Sequence, residues 1–226
     1  MIKRTMKERR NMPVYKLSEE IVFPNPDLAE EDGLLAVGGD LKLERLLLAY
    51  CNGIFPWYSD DEPILWWCPK PRFIIKPSEV NISKSMKRVF NKGIFKVTFD
   101  NDFAGVIKHC KMLRENKEGT WITDEMMAAY INLHKNGFAS SVEVYKDDKL
   151  VGGLYGVKIG KCFFGESMFS TETNASKVAL ISMCRKLEKE GFIFLDCQMH
   201  TNHLESMGGK FVSWEDFKLM LNKGIY

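Results

Sequence analysis

Gly165-Glu166-Ser167-Met168-Phe169-Ser170 and, further along, Asp196-Cys197-Gln198 each read as the end of a β-strand that finishes in acidic and polar groups. The segment between them, Asn174 to Gly191, has the pattern of a helix. Asn174 is its expected N-cap, Ala175, Val178, Ala179, Ile181, Ser182, Met183 and Leu187 supply the period, and Gly191 stops it. A strand, helix, strand unit carries Glu166 and Asp196 to one edge of a sheet, the edge at which open α/β sheets bind ligands. Two strand ends bearing carboxylates therefore predict a cleft.

Outward from that unit the pattern stays regular. Ser140 to Tyr145 alternates, Asp147-Asp148 turns, Leu150 to Ile159 returns, Gly160-Lys161 turns again and Cys162 to Ser167 completes a meander. Upstream lie a helix from Ser83, a strand over Ile94 to Phe99, a helix from Asp100 or Asn101 to Leu113, and a helix from Thr123 to Asn136 closed by Gly137. Between Phe23 and Pro77 the composition changes: Pro24, Pro26, Pro56, Pro63, Pro69 and Pro71 predict irregular structure around one helix, capped by Asp40 and ended by Gly53. The fold class is α+β. A small N-terminal domain over residues 15–75 precedes a mixed-sheet domain over 76–226, and residues 1–14, with Lys3, Arg4, Lys7, Arg9 and Arg10, read as a disordered extension.

Composition narrows the function classes. The chain has 226 residues and is 45% hydrophobic, ample for a packed core. A net charge of +2 is too small for a protein that coats nucleic acid, so RNA contact has to come from local patches. Six cysteines without a Cys-x-x-Cys pair suit reduced thiols and a cytoplasmic setting, and no apolar run approaches the ~20 residues of a membrane span.

The element order resembles that of GNAT-type acyltransferases, whose fourth and fifth strands splay apart around the substrates. In that family a glycine-rich turn grips the pyrophosphate of coenzyme A. Here Met168 to Asn174 has no glycine, which argues against the rival reading of a coenzyme-A-dependent N-acetyltransferase. A more specific resemblance rests on an ordered set of strings: Phe23 to Pro26, Gly33 to Asp40, Gly53-Ile-Phe-Pro-Trp-Tyr58, Pro63 to Pro69, Gly119-Thr-Trp-Ile-Thr123, Gly152-Gly-Leu-Tyr-Gly156, Gly165 to Ser170, Asn174 to Lys177 and Asp196 to Gln198. Together they are similar to the leucyl/phenylalanyl-tRNA-protein transferases. The resemblance implies a GNAT-like catalytic domain and no metal or organic cofactor. It implies transfer of leucine or phenylalanine, with methionine a poorer donor, from aminoacyl-tRNA to proteins that begin with arginine or lysine, marking them for degradation. With the cytoplasmic setting read from the cysteines, the enzyme is expected to be a monomer.

The residues can be weighed against that reaction, the aminolysis of an activated ester. An α-ammonium titrates at roughly 7.7 to 8.0, so about a tenth or more is neutral at pH 7. Asp196, with a reference pKa of about 3.9, is a poor base for it unless burial raises that value, and a glutamine is no base at all. Asp196 and Gln198 are therefore expected to orient the amine and stabilise its developing charge, with a proton relay through the pair as the alternative. Glu166 should meet the basic acceptor end.

For the donor, the resemblance places Trp57 and Trp121 on either side of the 3′-terminal nucleoside, where stacking contributes about 1 to 3 kcal/mol per base. Leu154, Phe163 and Met168 are expected to line the aminoacyl pocket, while Trp66 and Trp67 are read as core. Lys84, Lys87 and Arg88 share one face of the helix after Ser83 and form the best local patch for tRNA phosphates.

Other constellations are weaker. His200 and His203 have no third ligand nearby, so no metal site is expected. Alternation points Cys197 away from Asp196 and Gln198, against a thiol nucleophile. Gly165-Glu-Ser167 lacks the second glycine of a nucleophile elbow. A plain RNA-binding module is the non-enzymatic rival; it would bind tRNA equally with or without its amino acid.

Overall fold

Residues 15–67 build a four-stranded sheet around one helix, where irregular structure around that helix is expected over 23–77. The chain is described by a computed structural model covering residues 14–115 and 121–226; the extension expected over 1–14 lies, Val14 apart, outside the described residues. In this structure β1 (Tyr15–Leu17), β2 (Leu34–Gly38), β3 (Phe55–Pro56) and β4 (Leu65–Trp67) form a four-stranded sheet in the order β1-β2-β4-β3. Strands of two to five residues are too short to display a period of two, which is why they escape a pattern reading. The intervening α1 (Leu43–Cys51) begins later than expected. Asp40 does not cap it: its Oδ1 accepts the Lys42 N–H at 3.0 Å and the Arg45 Nε–H at 3.2 Å, closing a turn ahead of the helix.

The larger sheet takes β5 (Arg72–Ile75), β6 (Lys96–Phe99), β7 (Ala139–Lys146), β8 (Lys149–Ile159), β9 (Cys162–Ser170), β10 (Phe194–Gln198) and β11 (Lys210–Val212), in the order β11-β5-β10-β9-β8-β7-β6. Residues 72–75, read from sequence with the N-terminal unit, pair here between β10 and β11. The helices are α2 (Lys84–Lys92), α3 (Phe103–Glu115), α4 (Asp124–Lys135), α5 (Ala175–Lys189), α6 (Asn202–Ser206) and α7 (Trp214–Ile225). Ser83 and Thr123 cap α2 and α4 through the Met86 and Met126 N–H groups. Asn174 makes no such bond. It sits at φ +73°, and the Ala175 N–H is bound by the Glu172 carbonyl, so a turn leads into α5 without a side-chain cap.

Helix α5 covers one face of the large sheet, with α2 beside it, and α3 and α4 cover the other. The buried residues of the small sheet and α1, among them Trp66, Phe55 and Tyr50, merge with Tyr155, Phe164 and Phe194 of the large sheet into one core. Trp66 and Trp67 are buried there, with their indole N–H groups on the Gly38 and Trp57 carbonyls.

Of all the strand pairs in the large sheet, β9 and β10 alone run parallel. Their pairing ends at Phe164 opposite Asp196, and beyond that point the strands part. On the other side of β9, Gly156 lies opposite Gly165 where no side chain fits. An added Cβ would stand 2.2 Å from the Phe164 carbonyl oxygen and 2.7 Å from the Phe163 ring. Gly156→Ala is therefore expected to cost about 3 kcal/mol, a fall in Tm of about 6 to 12 °C in thermal unfolding. An unchanged Tm would show that the two strands can shift to accept a methyl group.

Candidate active site

Where β9 and β10 part, a cavity of about 440 Å³ opens. Its floor is apolar: Leu154 on β8 and Met168 on β9 pair across the strands, and Leu180 of α5 with Leu195 and Cys197 of β10 complete it. Two half-buried tryptophans, Trp57 after β3 and Trp121 before α4, line the same cavity together with Arg114, the last turn of α3 thus reaching the mouth. Glu166, Ser167, Gln198, His200 and His203 supply its polar groups. Chain segments distant in sequence meet here because the parting strands leave a gap that helices from both faces and the small sheet wall in.

Glu166 is the most heavily tied of these. Tyr50 on α1 donates to its Oε1 at 2.7 Å, Tyr130 on α4 donates to its Oε2 at 3.0 Å, and the Gln198 Nε2 lies 3.4 Å from Oε1. The two tyrosyl oxygens also touch each other. Two hydroxyls carry two protons for three contacts, so a proton on the carboxyl completes the triangle. Burial pushes the Glu166 carboxyl from 4.5 up to about 7, against the pull of the two tyrosyl hydrogen bonds. At neutral pH Glu166 is divided between its two forms.

Asp196 does not face the cavity, contrary to the sequence expectation. It has no solvent exposure, its Oδ2 accepts the Arg72 Nε–H at 3.1 Å, and its Oδ1 accepts the Gln198 N–H at 2.9 Å. The reason is pleating: Leu195 and Cys197 point to the α5 side, where the cavity floor lies, and Asp196 points to the other. Gln198 follows a β-bulge and adopts φ +57°, a conformation few L-residues take, which turns it back to the cavity. Burial raises the Asp196 carboxyl while the Arg72 guanidinium pulls it down. Arg72 itself is buried, donates to the Gly53 carbonyl and lies against the rings of Phe55 and Phe217.

Phe163 also departs from expectation. It is fully buried opposite Leu195, below the point where the strands part, so it packs on Gly156 and not into the cavity. Lys84, Lys87 and Arg88 are exposed on α2 and do not line the cavity. Cys197 does line it, but burial holds its thiol well above the ordinary value, and the neighbouring Asp196 charge adds to this; a thiolate nucleophile is disfavoured. Among the described residues no group of three or more His, Cys, Asp or Glu side chains could hold a metal ion.

Sequence reasoning missed Tyr50, Tyr130, Arg72 and Arg114. Tyr50 and Tyr130 sit within apolar helix stripes and look like core. Arg72 carried a usable signal: a charge opening the apolar run Phe73-Ile74-Ile75 needs a buried partner.

A mixed sheet whose one parallel strand pair parts around a cavity is the arrangement of a GNAT-like fold. Solved structures include an aminoglycoside acetyltransferase from a soil metagenome with a TM-score of 0.38 and 15% identity, covering 50% of this chain and 81% of that one. The family described as leucyl/phenylalanyl-tRNA protein transferase matches residues 74–222, and its N-terminal domain matches residues 39–70. The chain belongs to that family. A leucyl/phenylalanyl-tRNA–protein transferase of Syntrophobacter fumaroxidans is 52% identical over 95% of this chain and 92% of its own length; one of Flavobacterium johnsoniae is 51% identical over 92% and 99%.

Proposed function

We propose that the protein transfers leucine or phenylalanine from aminoacyl-tRNA to the α-amine of proteins beginning with arginine or lysine, tagging them for degradation. The observation that carries this reading is the shared cavity: an apolar floor at Leu154 and Met168, two tryptophans at its wall, and a single carboxylate, Glu166, beside Gln198. The floor suits a leucyl or phenylalanyl side chain, the tryptophans a terminal adenosine, and Glu166 the acceptor's cationic side chain. Exposed Lys84, Lys87 and Arg88 are assigned to more distant tRNA phosphates. The protein is read as a cytoplasmic monomer; among the described residues no helix is long and apolar enough to cross a membrane, and all six cysteines are free.

The amine nitrogen attacks the ester carbonyl, the bond to the ribose oxygen breaks, and the proton lost by nitrogen is gained by that oxygen. No enzyme-bound acyl group intervenes. Gln198 orients the amine through its side-chain carbonyl, and Asp196, out of reach of substrate, is a positioning residue that fixes Gln198. Most of the acceleration then comes from holding amine and ester together.

Incubation with radiolabelled Phe-tRNA or Leu-tRNA and an Arg-starting protein tests the reading. Label at the acceptor's N-terminus is expected, and none would reject it. Deacylated tRNA that bound as well as the charged form, without transfer, would favour a plain RNA-binding module.

The pH dependence follows from the charges. Glu166 is ionised above about pH 7, and the α-amine is neutral above roughly 7.7 to 8.0. Both forms are needed, so log kcat/KM for the acceptor should fall with slope one just below pH 7.7 and approach slope two below pH 7. Glu166→Gln should leave slope one; a slope of two persisting in that variant would assign the second ionisation elsewhere.

A further inference from the structure

We propose that Arg114 is a phosphate clamp of the donor site, holding the phosphodiester that joins the terminal nucleoside to the rest of the RNA. The inference rests on the aminoacyl-tRNA reading and adds a subsite to it. Among the described residues lining the cavity there is one carboxylate, Glu166, and one guanidinium, Arg114, with no ammonium group. The donor is anionic and the acceptor end cationic, so the two charges divide the cavity between the substrates.

Placement supports the same division. The Arg114 guanidinium carbon stands 5.6 Å from the centre of the Trp121 ring, and its Nε donates to the Ser167 Oγ at 3.3 Å. Ser167 adjoins Glu166 on β9, and Trp121 is a wall on which the terminal base is placed. The guanidinium is thereby fixed between the base site and the strand that carries the acceptor carboxylate. A 5′-phosphate lies one ribose from its base, and a planar fork of N–H donors held beside a stacking surface matches phosphate geometry. Lys84, Lys87 and Arg88, outside the cavity lining, do not supply that contact.

The test compares phenylalanyl-adenosine with and without a 5′-phosphate as donors, in the unaltered protein, Arg114→Gln and Arg114→Lys. The unaltered protein should prefer the phosphorylated donor about tenfold in kcat/KM, as expected for one charge-assisted contact. Arg114→Gln should bring that ratio close to one, with Arg114→Lys between. For tRNA binding, Arg114→Gln should reduce the slope of log Kd against log salt by about one contact. An equal loss with both donors, the ratio preserved, would overturn the clamp and leave Arg114 as a brace for Trp121. No transfer from either donor or from Phe-tRNA by the unaltered protein would reject the functional reading, and the clamp with it.

Discussion

Glu166→Gln is expected to lower kcat/KM for an Arg-starting acceptor by about a hundredfold while making the protein more stable. Both effects have one source. In the folded protein the carboxyl titrates at about 7 and in the unfolded chain near 4.5, so the native state binds the proton more tightly and loses stability as pH rises through that window. Above pH 8 the full cost of holding the charge is present, about 3 kcal/mol for a displacement of this size. Glutamine keeps the shape and accepts from Tyr50 or Tyr130 without carrying charge, so it should recover much of that cost. It also removes the partner of the acceptor's guanidinium, and truncating a buried charge pair costs 2 to 5 kcal/mol or so. Chemical denaturation at pH 4 and pH 8 separates the two: the stability gain should be large at pH 8 and nearly absent at pH 4, below the unfolded-state value. A variant less stable than the parent at pH 8 would show that the carboxylate is a net stabilising group.

The second large effect is expected at Arg72, which does not itself line the cavity. Arg72→Met leaves the Asp196 carboxylate buried without its cation, and breaking such a pair costs about 3 to 5 kcal/mol. Arg72→Met combined with Asp196→Asn removes the orphaned charge and should regain most of the loss. Activity should not return with it. Asp196 Oδ1 binds the N–H of Gln198, which holds φ +57°; once the carboxylate is gone or unanchored, Gln198 is free to relax from that conformation. Misplacing an orienting group by about 1 Å can cost on the order of a hundredfold, so kcat should fall by about that factor with little change in acceptor KM. If the double variant recovered both stability and kcat, the chain of contacts from Arg72 to Gln198 would have no part in catalysis.

The parts of this architecture that could be read in advance are those with a period or a capping residue. The helices after Ser83 and Thr123 and the meander through the Asp147-Asp148 turn come out within a few residues of the structure. The four-stranded sheet could not be read, because a strand of three residues between prolines has no pattern to detect. Asn174 failed as a cap because its backbone is left-handed, a property set by the turn before it and not by its side chain.

At the site, Glu166 and Gln198 could be read from their strand ends, Leu154 and Met168 from their apolar character, and Trp57 and Trp121 only through the family resemblance; all six line the cavity. Asp196 and Phe163 fell outside it for geometric reasons: pleating turns the first away, and the closed part of the parallel pair buries the second. Tyr50 and Tyr130 were hidden because nothing in a helical stripe distinguishes a tyrosine whose hydroxyl bonds a distant carboxylate from one that merely packs.

The most direct test is a structure of the protein with an amide-linked, non-transferable phenylalanyl-adenosine and a short peptide beginning with arginine. The phenyl ring is expected against Leu154 and Met168, the adenine at Trp57 and Trp121, the peptide α-nitrogen beside Gln198 and the guanidinium on Glu166. A phenyl ring outside that floor, or a guanidinium bound anywhere other than Glu166, would contradict the proposed function of the cavity.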